Sequence, residues 1–539
     1  MKKKLLVLLL MVVPMLTFAQ EKGLDQKIDA AFQPVSDFFS NLIFFTIPIA
    51  GIDVPFVLLL LVGSALFFTI YFKFPNIFHF KTAINVVRGK YDELDHHVAG
   101  DPVLAIGGDT KGTIKDESTE GEVTHFQALA TAVSGTVGNG NIAGVALAIA
   151  LGGPGATFWM VVCGFLGMST KFVECTLGVQ YRDVGEDGTV YGGPMYYISK
   201  GLKERGFETF GKIVAVIFAI FCIGGSFGGG NAAQSNQATV VLKELMGLES
   251  SGAGFWIGVV MAIVVGVIII GGIKRIASVT EKVVPFMAVL YLLACLYILG
   301  ANFSLIDDAF SLIFREAFNP TAIGVGGVIG VLLVGFKRAA FSNEAGAGSA
   351  SIAHSAVKTK YSASEGLVAL LEPFIDTVVI CTMTALVIII FNFGGDASGA
   401  TIFQYGGDGA GAVLIDGVSY EGAGITSKAF AQYIPYSNVF LTVAVVLFAV
   451  STMISWSYYG LQSWKFLFGR GKAADMTYKL LFLLFVVIGA SASMKSIWAF
   501  SDAMIFAMVF PNMVGLYFLF PVVKEQLKRY TDAIKESKA

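Results

Sequence analysis

Ser134-Gly-Thr-Val-Gly-Asn-Gly-Asn141 and Gly335-Phe-Lys-Arg-Ala-Ala-Phe-Ser-Asn-Glu-Ala-Gly-Ala-Gly348 are Gly-rich interruptions inside hydrophobic stretches of membrane length. A glycine break in a bilayer helix frees backbone N–H and C=O groups that lipid cannot satisfy. Such breaks persist only where protein encloses a polar cavity. Paired breaks in corresponding halves of a chain point to the substrate site of a secondary transporter.

Composition agrees. Of 539 residues, 55% are hydrophobic and 14% charged, at a mean hydropathy of +0.72, too little polar character for an ordinary water-soluble globule. A net charge of −2 without a long basic run gives no footing for nucleic acid. Cys163, Cys175, Cys222, Cys295 and Cys381 lie scattered in apolar segments without metal or disulfide spacing, and read as packing residues.

Met1-Lys-Lys-Lys, an apolar run from Leu5 to Leu16 and Thr17-Phe18-Ala19 read as a signal peptide over 1–19. Beyond it, about eleven stretches are long enough for a hydrocarbon core of ~30 Å. They lie near 54–72, 127–150, 156–178, 213–232, 255–273, 283–301, 322–353, 366–392, 438–460, 479–497 and 501–521. The segment 34–50 reads as an interfacial helix.

Threaded from an outside N-terminus, the cytoplasmic segments hold Lys73, Lys81, Arg88, Lys90, Arg182, Lys200, Lys203, Arg205, Lys274, Arg275, Lys282, Lys358, Lys360, Lys465, Arg470, Lys472 and a Lys-rich tail from Lys524. The outer segments hold only Lys22, Lys27, Lys243, Arg315, Lys428 and Lys495. Positive charge therefore gathers inside, with the C-terminus in the cytoplasm of a bacterial-type plasma membrane.

With the leading span 54–72 set aside, ten core spans remain, and the breaks fall in the first and sixth. An odd offset of five makes the halves enter the membrane from opposite sides, an inverted repeat. The divisions expected are 20–125 for the interfacial segment, leading span and cytoplasmic loop, 126–302 and 303–521 for the repeats, and 522–539 for the tail.

Several motifs run in order along the chain: Phe126-Gln-Ala-Leu-Ala-Thr-Ala-Val-Ser-Gly-Thr-Val-Gly-Asn-Gly-Asn-Ile-Ala-Gly-Val-Ala146, Gly192-Gly-Pro-Met-Tyr-Tyr197, Gly230-Asn-Ala-Ala-Gln-Ser-Asn236, Gly335-Phe-Lys-Arg338, Phe341-Ser-Asn-Glu-Ala-Gly-Ala-Gly-Ser349 and Glu372-Pro-Phe-Ile-Asp-Thr377. They resemble the alanine or glycine:cation symporter family over roughly 54–525. The resemblance implies sodium-coupled uptake of small neutral amino acids such as alanine or glycine. It also implies an all-α, LeuT-type five-plus-five bundle of the amino acid–polyamine–cation superfamily, with one extra N-terminal span. Segments 91–121 and 394–422 depart from the family pattern as insertions.

The residues themselves suggest a site. Half-helix N-termini at the first break suit a carboxylate, and unwound carbonyls suit a cation. The substrate carboxylate is placed on the backbone from Gly138 to Asn141, with Thr136 and Asn141 available to a cation or amine. Gln234 in the third core span is a further substrate contact, although hydrogen bonding between helices accounts for buried amides equally well. Phe341 and Asn343 stand at the second break. Thr452 and Trp456, four residues apart, share one face of the eighth core span. A pocket walled by Phe341 and Trp456 and floored by Gly and Ala admits only a small side chain.

By the same resemblance, a sodium site lies among the Ser451, Thr452 and Ser455 hydroxyls and the first core span around Ser134 and Val137. Asp376 with Thr377 is a second candidate for holding a cation. Ionisable groups at membrane depth cost on the order of 2.5–3.5 kcal/mol each and are usually functional. Glu174, Arg338, Glu344 and Glu372 are assigned to an inner gate, with static neutralising pairs as the alternative. One co-moving sodium contributes ~2.3 kcal/mol per 100 mV, which supports roughly fifty-fold accumulation of a neutral zwitterion. Sodium is the only cofactor expected, as coupling ion. The partners expected are a small neutral amino acid, sodium and membrane lipid, and the chain is expected to act as a monomer.

No HExxH or P-loop points to an enzyme or a nucleotide-driven pump. A channel uses carbonyl-lined breaks but needs no amide and aromatic pocket. Proton coupling through Asp376 or Glu344 is the closer rival.

Overall fold

A computed structural model describes residues 24–49, 51–95, 121–185, 188–248, 252–319, 327–394, 401–406, 409 and 411–537. The expected signal peptide and most of the segment 91–121 lie outside these residues.

Among the described residues the chain is helical, apart from three two-stranded hairpins. Helix α1 (Leu24–Ile43) leads into a hairpin of β1 (Thr46–Ile49) and β2 (Ile52–Pro55), followed by α2 (Phe56–Tyr71) and the short helices α3 (Pro75–Phe78), α4 (Phe80–Val87) and α5 (Asp92–Asp95). The first core span comprises α6 (His125–Thr136), a π-helical turn (Gly140–Gly144) and α7 (Val145–Gly152). Next come α8 (Gly155–Gln180), the hairpin β3 (Asp183–Val184) and β4 (Val190–Tyr191), α9 (Pro194–Glu204), and α10 (Glu208–Phe227) joined by a π turn (Gly228–Ala232) to α11 (Ala233–Met246). Helices α12 (Ala253–Ile269), α13 (Gly272–Ala301) and α14 (Ile306–Phe318) complete the first half.

The second half opens with α15 (Gly327–Asn343) and α16 (Ala350–His354). It continues with α17 (Ser362–Ala369), α18 (Leu371–Pro373), a π turn (Phe374–Cys381) and α19 (Thr382–Asn392). The hairpin β5 (Val413–Ile415) and β6 (Val418–Tyr420) precedes α20 (Ala423–Ala431). Helices α21 (Ser437–Phe468), α22 (Lys472–Ser491) and α23 (Met494–Glu536) close the chain.

Among the described residues seven helices are long and apolar enough to cross a membrane, eight if the bent pair α6 and α7 is one span, against the eleven stretches expected. The shortfall is one of length. Helix α2 has 16 residues and α12 has 17, and at 1.5 Å per residue each falls short of a ~30 Å core. Helix α15 also has 17, and residues 320–326 of its expected span are not described.

Two boundaries differ from expectation. The helix over 34–50 ends at Ile43, because Pro48 sits in β1 and Gly51, at φ 81°, turns the hairpin. Helix α1 lies along α23 instead, with Ser36 Oγ donating to the Ser496 carbonyl at 3.0 Å. At the other end, the tail from 522 continues α23 as one helix of 43 residues.

Apolar residues exposed on the bundle, such as Trp256, Ile263, Phe286 and Leu293, form a lipid-ready exterior, while the polar residues of the breaks are buried.

Candidate functional site

Both interruptions are present, but the second is narrower than the stretch 335–348: α15 runs unbroken through Gly335 to Asn343, and the chain leaves the helix only between Asn343 and Ala350. Thr124 caps α6 by accepting from the Gln127 N–H, and the Gln127 side chain accepts from the Thr124 N–H in return. After 12 residues the helix stops at Thr136, and the chain resumes toward α7 after a bend of 50°. In the second break, Glu344 takes a left-handed φ of 54°, followed by Gly346 at 94° and Gly348 at 85°. Only glycine tolerates those last two positions, because a side-chain carbon would lie 2.4 Å from Leu61 at Gly346 and 2.7 Å from Pro194 at Gly348.

The breaks meet through Asp376, on the π turn after α18. Asn141 Nδ2 donates to Asp376 Oδ1 at 2.7 Å and to its carbonyl at 3.1 Å. Ser342 Oγ lies 2.9 Å and Thr377 Oγ1 2.7 Å from Asp376 Oδ2. Asn343 Nδ2 donates to Thr377 Oγ1 at 3.0 Å. Asp376, Asn141 and Asn343 are fully buried, so protein rather than lipid surrounds them. No cationic side chain pairs with this carboxylate among the described residues.

Gln234 braces the first break from the other side. Its Oε1 accepts from the Asn139 N–H at 3.1 Å, its carbonyl from Asn139 Nδ2 at 3.2 Å, and its Nε2 donates to the Gly229 carbonyl at 2.9 Å. Gly138 N–H donates to Asn141 Oδ1 at 2.9 Å. Helix α21 then closes in: a side-chain carbon on Gly138 would stand 2.4 Å from Thr452 Oγ1, and one on Gly230 2.1 Å from Trp456. These glycines let three spans touch around a space too small for a bulky side chain.

The hydroxyl set divides. Ser134 Oγ donates to the Ser451 carbonyl at 2.7 Å, tying the first break to α21, and Ser451 Oγ turns back to the Phe448 carbonyl at 2.9 Å. Thr452 Oγ1 and Ser455 Oγ are buried without hydrogen-bond partners among the described residues, as is Asn139 Oδ1. Val137 is buried at the break. Thr136 Oγ1 donates to its own helix, at 3.3 Å from the Ala132 carbonyl.

Phe341 and Trp456 are both buried beside the breaks. Phe341 packs near Gly140 and Gly229, and stacks on Trp498 at 5.1 Å between ring centres. Trp456 Nε1 donates to Glu344 Oε1 at 2.9 Å. That bond engages the indole with the second break.

The four gate residues do not form one cluster. Glu372 pairs with Lys171 at 3.0 Å, and His354 Nε2 lies 3.7 Å from its other oxygen. Glu174 accepts from Asn512 Nδ2 at 2.6 Å, and Asn512 also bonds the Gly346 carbonyl at 2.8 Å. Glu344 bonds Ser349 and Trp456. Arg338 departs: it pairs with Asp502 at 2.5 Å, beside Lys337 at 2.9 Å, and its guanidinium packs over Phe341 and Trp498. The reason is helical geometry. Arg338 lies on α15 before the break, and the other carboxylates meet residues beyond it, so the break itself separates them.

Asp502, Trp498, Glu365 and His125 were not among the candidates. Asp502 obeys the rule for ionisable groups at membrane depth, and its position within 501–521 carried the signal. Glu365 binds His125, and His354 Nδ1 at 2.5 Å, extending the polar array toward the start of α6. Sequence spacing gave no cue to these long-range partners.

The sequence model of the sodium:alanine symporter family matches residues 44–539. The sodium/alanine symporter AgcS of Methanococcus maripaludis is 38% identical over 89% of this chain and 95% of its own length. The sodium/proton-dependent alanine carrier protein of Bacillus sp. (strain PS3) is 32% identical over 78% of this chain and 91% of its own. The probable sodium/glutamine symporter GlnT of Bacillus subtilis is 32% identical over 78% and 81%. A solved structure of MhsT in complex with L-phenylalanine is similar at 15% identity and a TM-score of 0.48, over 75% of this chain and 99% of that one.

Proposed function

The chain belongs to the sodium:alanine symporter family, a family of membrane transporters, and on that premise we propose that it imports small neutral amino acids such as alanine or glycine by sodium symport. One observation carries the reading. A fully buried carboxylate, Asp376, lies between the two breaks with neutral donors around it and no cationic side chain as partner among the described residues. A buried unpaired charge is costly, and a bound monovalent cation offsets it. The Asp376 carboxylate with the Ser342 and Thr377 hydroxyl oxygens supplies the hard oxygen donors that such an ion prefers.

The amino acid is placed beside that ion. Its carboxylate faces the backbone from Gly138 to Asn141 at the start of a half-helix, where it takes the place of the Asn141 and Gln234 side-chain oxygens that the Gly138 and Asn139 N–H groups now meet. Its side chain points toward Phe341 and Trp456, and the close approaches at Gly138 and Gly230 restrict it to hydrogen, methyl or hydroxymethyl. Thr452 and Ser455, with unpartnered hydroxyls, are the remaining ligands for a second ion beside Ser134 and Val137.

The breaks fall in the first and sixth core spans, and that offset of five supports the LeuT-type inverted repeat over 126–302 and 303–521. The charge distribution supports an outside N-terminus and a cytoplasmic C-terminus. In that orientation, Arg338 with Asp502 closes the outer side of the site. Glu372 with Lys171 and His354, together with Glu174 and Asn512, closes the inner side.

Uptake of labelled alanine into proteoliposomes tests the function. Accumulation is expected with an inward sodium gradient and not with an equal potassium gradient, and unlabelled glycine and serine should compete while tryptophan does not. Equal uptake in both salts would remove the sodium assignment.

A second reading, proton coupling, draws on the array of His125, Glu365, His354 and Glu372 that runs toward the start of α6. Uptake without sodium that follows an imposed pH gradient would select it.

A further inference from the structure

Away from the breaks, a groove of about 1120 Å³ lies between the end of α2 and the last turns of α23. Its floor is apolar and aromatic, with Tyr71, Phe72, Phe78 and Pro521, and its rim carries Lys73, Lys524, Lys528 and Lys535. The carboxylates on the same lining are Glu525 and Asp532, and Asp532 already pairs with Lys535 at 3.1 Å. Lys73, Lys524 and Lys528 are exposed and have no acidic partner among the described residues, and the Lys524 ammonium stands 5.0 Å from the centre of the Tyr71 ring. Lys524 and Lys528 are four apart on α23 and present one face, opposite Lys73.

The groove sits where the apolar part of both helices ends. Phe74, Ile77 and Phe78 beside it are 42%, 54% and 72% exposed, apolar area that a membrane surface covers. Burial holds His79 below the usual histidine pKa, so at neutral pH it is uncharged and contributes a hydrogen-bonding ring rather than a further cation.

We propose that this groove binds the headgroup of an anionic glycerophospholipid, with its phosphate among Lys73, Lys524 and Lys528 and its acyl chain along Tyr71 and Phe78. Four lysines against two carboxylates leave a positive excess that complements a phosphodiester without a cationic headgroup. Juxtamembrane lysines each contribute about 1 kcal/mol toward anionic lipid. A zwitterionic lipid brings its own cation and forfeits that gain. The continuous aromatic floor favours a lipid over a soluble anion, because a free phosphate leaves it bare.

Native mass spectrometry of the detergent-purified full chain, titrated with phosphatidylglycerol or phosphatidylcholine, tests this. Phosphatidylglycerol should bind at least about tenfold more tightly. The double variant Lys524→Gln/Lys528→Gln should lose that preference, and Lys524→Arg/Lys528→Arg should keep it, which separates lost charge from lost fold. Lys274→Gln/Arg275→Gln removes the same charge at the same end of the bundle, by the alternation of spans, and should leave the preference intact. The proposal fails if the two lipids bind alike, if both glutamine pairs lose the preference equally, or if inorganic phosphate displaces phosphatidylglycerol at equal concentration.

Discussion

The two broken spans solve the same backbone problem with different chemistry. In the first, the freed groups meet neutral amides: Asn139 and Gln234 on one side, and Asn141 bridging to Asp376 on the other. In the second, Glu344 in a left-handed conformation, two glycines and a carboxylate bonded to Trp456 and Ser349 make the turn, with ion pairs on either side of it. The contrast assigns work. A break lined by neutral amides, with Asp376 beside it matched to a cation, suits a zwitterion and its ion. A break flanked by ion pairs suits motion, because pairs that separate and re-form can hold alternative states of similar energy.

The sharpest way to break this contrast is steric. Gly138→Val fills the approach to Thr452, and a displacement of about 1 Å in a site of this kind costs roughly 100-fold. Alanine uptake should fall by that order while the detergent-solubilised protein remains monodisperse by size-exclusion chromatography. Near-normal uptake would mean that the first break does not hold the substrate.

Next in size is Asp376→Asn. It removes the carboxylate and keeps the side-chain shape, so the half-saturating sodium concentration should rise by about tenfold or more, ~1.4 kcal/mol. Sodium titration of alanine uptake reads this directly, and an unchanged sodium dependence would move the ion to Thr452 and Ser455.

Trp456→Phe tests the second break. It deletes an indole hydrogen bond to Glu344, and a hydrogen bond contributes about 1 kcal/mol net. Maximal uptake should fall about fivefold to tenfold with little change in sodium half-saturation. A change in sodium dependence of equal size would blur the division between the breaks.

The smallest effect is expected for Arg338→Lys. Lys337 already reaches Asp502 at 2.9 Å, so the ion pair survives in part and uptake should stay within about threefold. A complete loss would show that the planar contact of the guanidinium with Phe341 and Trp498 matters more than its charge.

The sequence disclosed the breaks because glycine and asparagine are conspicuous inside apolar runs, and it disclosed Asp376 because a carboxylate at membrane depth is equally conspicuous. It did not disclose pairing. Arg338 reads as a neighbour of Glu344 along the chain, yet the left-handed turn at Glu344 sends them to different partners. Thr136 reads as a ligand, yet its hydroxyl finds its own helix first. The span count suffered for a different reason. Hydropathy marks where apolar residues lie, whereas length depends on where the helix stops, and α2 and α12 stop early.

Reciprocal binding tests the central claim most directly, because an ion and a substrate that share one enclosed site must raise each other's affinity by the same factor. Alanine binding to the purified protein should be measured across a sodium series balanced with potassium, and sodium binding should be measured with and without alanine. The account expects alanine affinity at least about tenfold higher in sodium, with a matching gain for sodium and loss of both in Asp376→Asn. Alanine affinity indifferent to sodium in the wild-type protein would contradict it.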